Sequence, residues 1–231
     1  TMKKVFESPR AGGNVRRAVQ MVDSVVESAL KSEDPLNDIT ALIAHDYYTY
    51  THSVNVCVFL VATSRELLGV TSPSALKRVG RGAILHDIGK SQIPVEIINK
   101  KGKLDADEWE QMKQHPELGL EIAGRYISLS GVAADVIRHH HEHFDGSGYP
   151  DGLEGTRIRP VVQLSTVVDV YDAVTTRRSY AEASAPYSAL KMMVEEMQGH
   201  FSLPVLRAFI RFLGPEEYSR DARVHRPASV A

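Results

Sequence analysis

Apolar residues recur every three or four positions along almost the whole chain, while runs that alternate apolar with polar are scarce. That period is what helices show when they turn one face to a core, so it restricts the chain to an all-α fold before any motif is considered. Val15, Ala18, Val19, Val22, Val25, Val26 and Ala29 predict an amphipathic helix over residues 14–31, preceded by Gly12-Gly13 and ended by Asp34-Pro35. Three roles fit it: packing on the main body, pairing with a copy of itself in a homodimer, or linking to a further upstream domain. Residues 50–68 are apolar on most sides and predict a central core helix. Ser72-Pro73 supplies an N-cap and a first-turn proline for a helix that runs to His86-Asp87 and stops near Gly89. Asp105 and Glu108 have capping-box spacing ahead of Trp109. Further helices are expected over 116–126, 132–141, 160–175, 187–198 and 203–213. The one long loop, residues 143–159, is of a length that usually serves function in a compact domain. The expected organisation is a helical extension or linker over 1–36, a main domain over 37–214 and an irregular tail over 215–231.

Composition removes several function classes. With 231 residues the chain is about one domain in size. A formal charge of −2 provides no global field for nucleic acid or anionic membrane. Cys57 is the single cysteine, which excludes an internal disulfide and a thiolate cluster and fits a reducing, cytoplasmic setting. No stretch approaches the roughly 20 successive apolar residues of a membrane span, and no basic-then-apolar leader pattern opens the chain. Thr1 in place of a starting Met points to an expression remnant or an excised fragment, with neighbouring domains elsewhere.

Eight of the ten histidines fall between His45 and His143. Within that span, His86-Asp87-Ile88-Gly89-Lys90 joins an imidazole and a carboxylate that can bridge two ions to a lysine suited to a phosphate oxygen. His45-Asp46 has no glycine or lysine behind it and reads as surface or packing. His140-His141-Glu142-His143 is followed by Asp145-Gly146 and Gly148-Tyr149-Pro150, steps that force a defined loop; these residues suit either a metal site or a polar turn. Asp169 sits in an apolar helix, where an unpaired carboxylate costs several kcal/mol unless partnered or metal-bound. On residue type alone His52, with Val56 and Phe59 on its helix face, reads more readily as a hydrogen-bonded core residue than as a ligand, and His115, before Pro116, has the same ambiguity. Imidazoles plus carboxylates without cysteine suit Fe, Mn, Zn or Ni, and a shared carboxylate suggests two ions acting on a phosphoester.

The sequences YTYTHSVNV, HDIGK, IPVEIINKKGKL, MKQHPELG, HHEHFDGSGYP and VVDVYDAVT, and less perfectly RRSY, resemble the HD-GYP family, a bacterial branch of the HD-domain metal-dependent phosphohydrolases. The resemblance covers roughly residues 47–213. It implies an all-α HD core with extra helices and a GYP loop, and hydrolysis of cyclic di-GMP to linear pGpG or to GMP. It implies metal ligation by His52, His86, Asp87 and Asp169 around one ion and by His115, His140 and His141 around its neighbour, with Asp87 bridging. Fe or Mn heads the expected metals, with Zn or Ni behind. Asp87 and Lys90 are the implied catalytic residues. Lys90, Arg178, Gly148, Tyr149 and Pro150 are the implied substrate-side residues, and the GYP loop is implicated in contacts with GGDEF-type partners. His45, His139 and His143 keep a non-ligand reading.

Four departures from the family pattern stand out. Tyr48 replaces a glutamate that helps some members hold a third ion, Ser179 replaces a proline, Ala181 replaces a second basic residue, and His143 replaces an arginine. The rival reading from another class is a low-turnover cyclic-dinucleotide sensor or GGDEF-binding module, and a weaker rival is an HD enzyme acting on a different nucleotide such as a cyclic GMP-AMP or a nucleotide monophosphate.

Overall fold

A computed structural model describes residues 12–31, 51–129, 131–176 and 185–214. His45, Tyr48, Arg178, Ser179 and Ala181, and the expected tail over 215–231, lie outside the described residues. The described residues form ten α-helices: α1 (Gly12–Lys31), α2 (Thr51–Leu68), α3 (Pro73–Leu85), α4 (Val95–Ile98), α5 (Ala106–Met112), α6 (His115–Tyr126), α7 (Gly131–His139), α8 (Pro160–Thr175), α9 (Pro186–Glu195) and α10 (Leu203–Leu213). Short 3-10 turns cover Ile88–Gln92 and Gly155–Arg157. No strand occurs among them, only an isolated antiparallel bridge between Asp145 and Glu154, so the all-α expectation holds. None of these helices is long and apolar enough to cross a membrane.

Helix α2 is the central element, as its nearly all-round apolar surface predicts. Its residues Val56, Cys57, Leu60 and Val61 pack with Leu76, Val79 and Ile84 of α3 and with Leu164, Val167 and Val168 of α8 in one buried core. Burying each such aliphatic side chain contributes about 1.5–3 kcal/mol. Phe59, Tyr171 and Phe209 meet edge-to-face, with centroids 5.3–6.4 Å apart, and tie α10 to α2 and α8. Helix α1 turns Val15, Ala18, Val22 and Val26 fully inward and packs chiefly on α3. Gly80 permits that approach, since a side chain there would collide with Val22.

Several expected boundaries shift. The helix expected over 132–141 ends at His139, releasing His140 and His141 into the following turn, and the one expected over 187–198 ends at Glu195. Helix α3 ends at Leu85, so Gly89 lies within the 3-10 turn and is not the stop. Gly89 is needed for another reason: a Cβ there would lie inside the His115 carbonyl and against the Gly119 backbone. That close approach brings the His86-Asp87 turn onto the start of α6. Ser72 makes no side-chain capping bond to a helix amide, its hydroxyl meeting that of Ser74 at 3.0 Å, whereas the Asp105/Glu108 capping box forms in full.

Candidate metal centre

The expected ligands come from five places in the chain and meet at one point. His52 stands in the first turn of α2, His86 and Asp87 just past α3, His115 at the start of α6, His140 and His141 just past α7, and Asp169 inside α8. They form two groups whose ligand atoms lie within 4.8 Å of one another, His52 with His86 and Asp169, and Asp87 with His115, His140 and His141. Asp87 faces both. Its Oδ2 lies 3.4 Å from His86 Nε2 and 3.8 Å from His52 Nε2, while its Oδ1 lies 3.4 Å from His115 Nε2 and 3.8 Å from His140 Nε2.

The imidazoles are held from behind. Nδ1 of His86 donates to the Ala83 carbonyl at 2.7 Å, Nδ1 of His115 to Met112 at 2.8 Å, and Nδ1 of His140 to Ile137 at 2.9 Å. A carbonyl only accepts, so each Nδ1 carries the hydrogen and Nε2 is the nitrogen turned to the centre. His52 is held by a carboxylate, its Nδ1 2.7 Å from Asp172 Oδ2 and its Nε2 3.0 Å from Asp169 Oδ1. Asp172 in turn accepts from Asn55 at 2.8 Å and from Thr176 at 3.1 Å. Sequence reasoning missed Asp172 and Asn55. The available signal was spacing: each lies three residues after a ligand candidate, Asp169 and His52, and so on the same helical face.

The electrostatics divide the centre in two. Burial alone would lower the His86 pKa, but Asp87 and Asp169 raise it to about 10. Burial is likewise overcome at His52, which Asp169 and Asp172 raise above its ordinary value. In the other group burial wins. It and the charge of Lys90 bring His115 down to about 3, and burial together with neighbouring imidazoles lowers His140 and His141. Asp87 stays ionised despite burial because Lys90 and His86 outweigh it, and Asp169 does so because of His52 and His86. The buried atoms His86 Nε2 and Asp87 Oδ1 have no hydrogen-bond partner. Buried polar atoms are rarely left so, and an inward nitrogen and carboxylate oxygen without partners among further imidazoles fit divalent cations.

The substrate-side residues are placed less uniformly. Lys90 Nζ rests 2.7 Å from Asp87 Oδ2, half-buried. The Tyr149 ring stacks on His141, with centroids 4.8 Å apart and planes 25° from parallel. Gly148 presses on the backbone of residues 141–143, where a Cβ would collide with the His143 nitrogen and the His141 carbonyl, and the Tyr149-Pro150 peptide is cis. Buried Glu142 accepts from the Asp151 and Leu153 amides at 2.7 and 2.9 Å, which pins the loop beyond Pro150. Arg138 grips Asp151 with two bonds of 2.8 and 2.9 Å, and His139 lies 2.8 Å from the same carboxylate. His143 bonds Ser147 at 2.9 Å and stacks on His200. Both histidines are therefore engaged in holding the loop.

The HD domain family matches residues 30–202. The chain belongs to the HD-domain family. The expected HD-GYP resemblance is borne out with it. Over 213 residues the chain is 37% identical to a Pseudomonas aeruginosa protein named cyclic di-GMP phosphodiesterase, covering 91% of this chain and 50% of that one. It is 33% identical over 208 residues to a Vibrio cholerae protein named probable cyclic di-GMP phosphodiesterase, covering 87% and 46%. The chain thus spans about half the length of these relatives. An HDGYP protein from Bdellovibrio bacteriovorus shares the fold with a TM-score of 0.72 and 20% identity, over 92% of this chain and 67% of that one. In this HD-domain protein, helix α1 lies almost wholly ahead of the family match.

Proposed function

We propose that this HD-domain chain hydrolyses cyclic di-GMP to linear pGpG, and onward to GMP, at a centre of two divalent ions. The observation that carries the reading is Asp87, whose two oxygens face two separate histidine groups. His52, His86 and Asp169 would hold one ion, His115, His140 and His141 the other, and Asp87 both. Histidine nitrogens with carboxylates suit Fe, Mn, Zn or Ni, and the family resemblance puts Fe or Mn first among them. Bound there, the ions supply an acidified water at neutral pH and neutralise charge developing on the phosphoryl oxygens.

The chain's own residues then bind and orient. Water oxygen bonds to phosphorus, the bond to the 3′ oxygen breaks, and a proton reaches that oxygen, leaving a 5′-phosphate on pGpG. Lys90, already in the centre beside Asp87, is the cation that turns to a phosphate oxygen; Arg178 is the second by sequence position. Tyr149 and Pro150 wall the His141 side, with Gly148 closing the loop beneath them. Burial raises the Tyr149 pKa, with Asp87 and Asp169 adding to the effect, so its phenol stays a hydrogen-bond donor. Tyr48 in place of a carboxylate limits the centre to two ions, and Ala181 in place of a cation slows turnover or weakens substrate binding, with pGpG accumulating where the first cut outpaces the second. We place the catalytic unit at 37–214, in the cytoplasm, with the GYP loop as the contact for a GGDEF-type partner and a homodimer as the assembled form.

The test combines metal analysis of freshly purified protein with hydrolysis of cyclic di-GMP, using 3′3′-cyclic GMP-AMP as comparator. Two equivalents of metal, and pGpG formed from cyclic di-GMP faster than the linear dinucleotide is formed from 3′3′-cyclic GMP-AMP, support the reading. Tight binding of the dinucleotide without hydrolysis by the metal-loaded protein would replace it with the sensor reading.

A further inference from the structure

Helix α5 is difficult to explain by packing. None of its seven residues is buried, so it adds almost nothing to the core, yet its start is tied down with unusual care. Asp105 and Glu108 exchange capping-box bonds of 3.0 and 2.9 Å, and Lys100 bonds to Glu108 from the preceding segment. What this fixed helix presents is Trp109, 45% exposed. The indole meets the Tyr149 ring nearly perpendicularly, with centroids 5.8 Å apart and an angle of 81°. Tyr149 in turn stacks on His141. An aromatic series therefore runs from the metal-side histidine to an indole that remains open to solvent.

We propose that Trp109 is a nucleobase platform: a purine of the dinucleotide stacks on its exposed ring while the attached phosphate lies in the centre walled by Tyr149. The inference rests on the phosphodiesterase reading above and deepens it by naming a specificity-determining residue. An exposed tryptophan at the rim of a phosphodiester site suits a base because every base has a π face, and stacking needs no matched hydrogen bonds. The capping box serves the same end, since a platform is useful only if its distance from the centre is fixed.

Trp109 is the only tryptophan in the chain, which makes its emission a direct reporter. Zn-loaded protein is titrated with a phosphorothioate analogue of cyclic di-GMP that is cut slowly, with calorimetry run in parallel. Saturating quenching of indole emission that follows the calorimetric isotherm is expected. Trp109→Ala should weaken analogue binding and raise KM for cyclic di-GMP by roughly tenfold, with Trp109→Phe recovering most of it. The Ala variant's loss in kcat/KM should be larger for cyclic di-GMP than for methyl p-nitrophenyl phosphate, which has no purine. Calorimetric binding with unaltered emission, or equal losses on both substrates, would overturn the platform while leaving the phosphodiesterase reading standing. Failure of the analogue to bind at all would overturn both.

Discussion

The two halves of the centre are built from the same side chains and behave differently. Around His52 and His86, two carboxylates, Asp169 and Asp172, join Asp87, and the histidine pKa values rise. Around His115, His140 and His141, Asp87 is the only carboxylate in the group, and the pKa values fall. In the first half a proton on His86 thus competes with a cation, while the lowered pKa values of the second leave its imidazoles neutral and ready to bind. The contrast shows that ligand identity alone does not set a metal site; the groups behind the ligands decide how strongly protons compete with metal.

The harshest way to break the comparison is to remove what joins the halves. Asp87→Ala should empty both of metal and lower hydrolysis by a thousandfold or more, at or beyond the roughly 100–1000-fold that loss of one electrostatic contact costs. His45→Ala, at the other His-Asp pair, should leave both quantities near wild type. Metal content by mass spectrometry and product by chromatography check the pair; similar behaviour of the two variants would contradict the assignment.

Breaking one half at a time comes next. His141→Ala should remove about one equivalent of metal and leave the His52 half loaded, and His52→Ala should do the reverse. The ion that survives can be recognised by its protons. His86, with a pKa raised to about 10 by Asp87 and Asp169 against burial, is protonated at neutral pH and must lose that proton to bind metal, and His52 is shifted in the same direction. Metal affinity of the His52 half therefore rises with pH through neutrality towards about 10. The other half, with His115 near 3, is already neutral there and responds little. Calorimetry in buffers of different ionisation enthalpy should show proton release on loading His141→Ala and little on loading His52→Ala. Equal release would erase the distinction between the halves.

The mildest change sharpens it. Asp172→Asn keeps a hydrogen bond to His52 but removes a charge, and should weaken the first ion roughly 10–100-fold without touching the second. Competition with a chelator measures this, and an equal effect on both ions would contradict a role for Asp172 confined to one half.

How much of this could be read from sequence depended on what each feature answers to. Helices α8 and α10 begin and end where expected because Pro160 and Pro204 sit in their first turns and the apolar period runs through them. Helix α7 stops two residues short because its continuation is claimed by tertiary bonds: Thr166 donates to the His140 carbonyl at 3.0 Å, and Glu142 turns to the Asp151 and Leu153 amides. Nothing local announces those partners. The motifs brought His52, His86, Asp87, His115, His140, His141 and Asp169 to attention, and the fold brings all seven together. Asp172 and Asn55 escaped because their worth lies in the register of α2 against α8, and Glu142 because a loop-pinning carboxylate looks like any polar turn residue.

The central claim is that Asp87 spans two ions. Crystals of the metal-loaded protein, with anomalous scattering recorded at the absorption edge of the metal found in solution, test it directly. Two anomalous peaks are predicted, one among His52, His86 and Asp169 and one among His115, His140 and His141, each bonded to a different oxygen of Asp87. A single peak, or two peaks on one side of Asp87, would contradict the account.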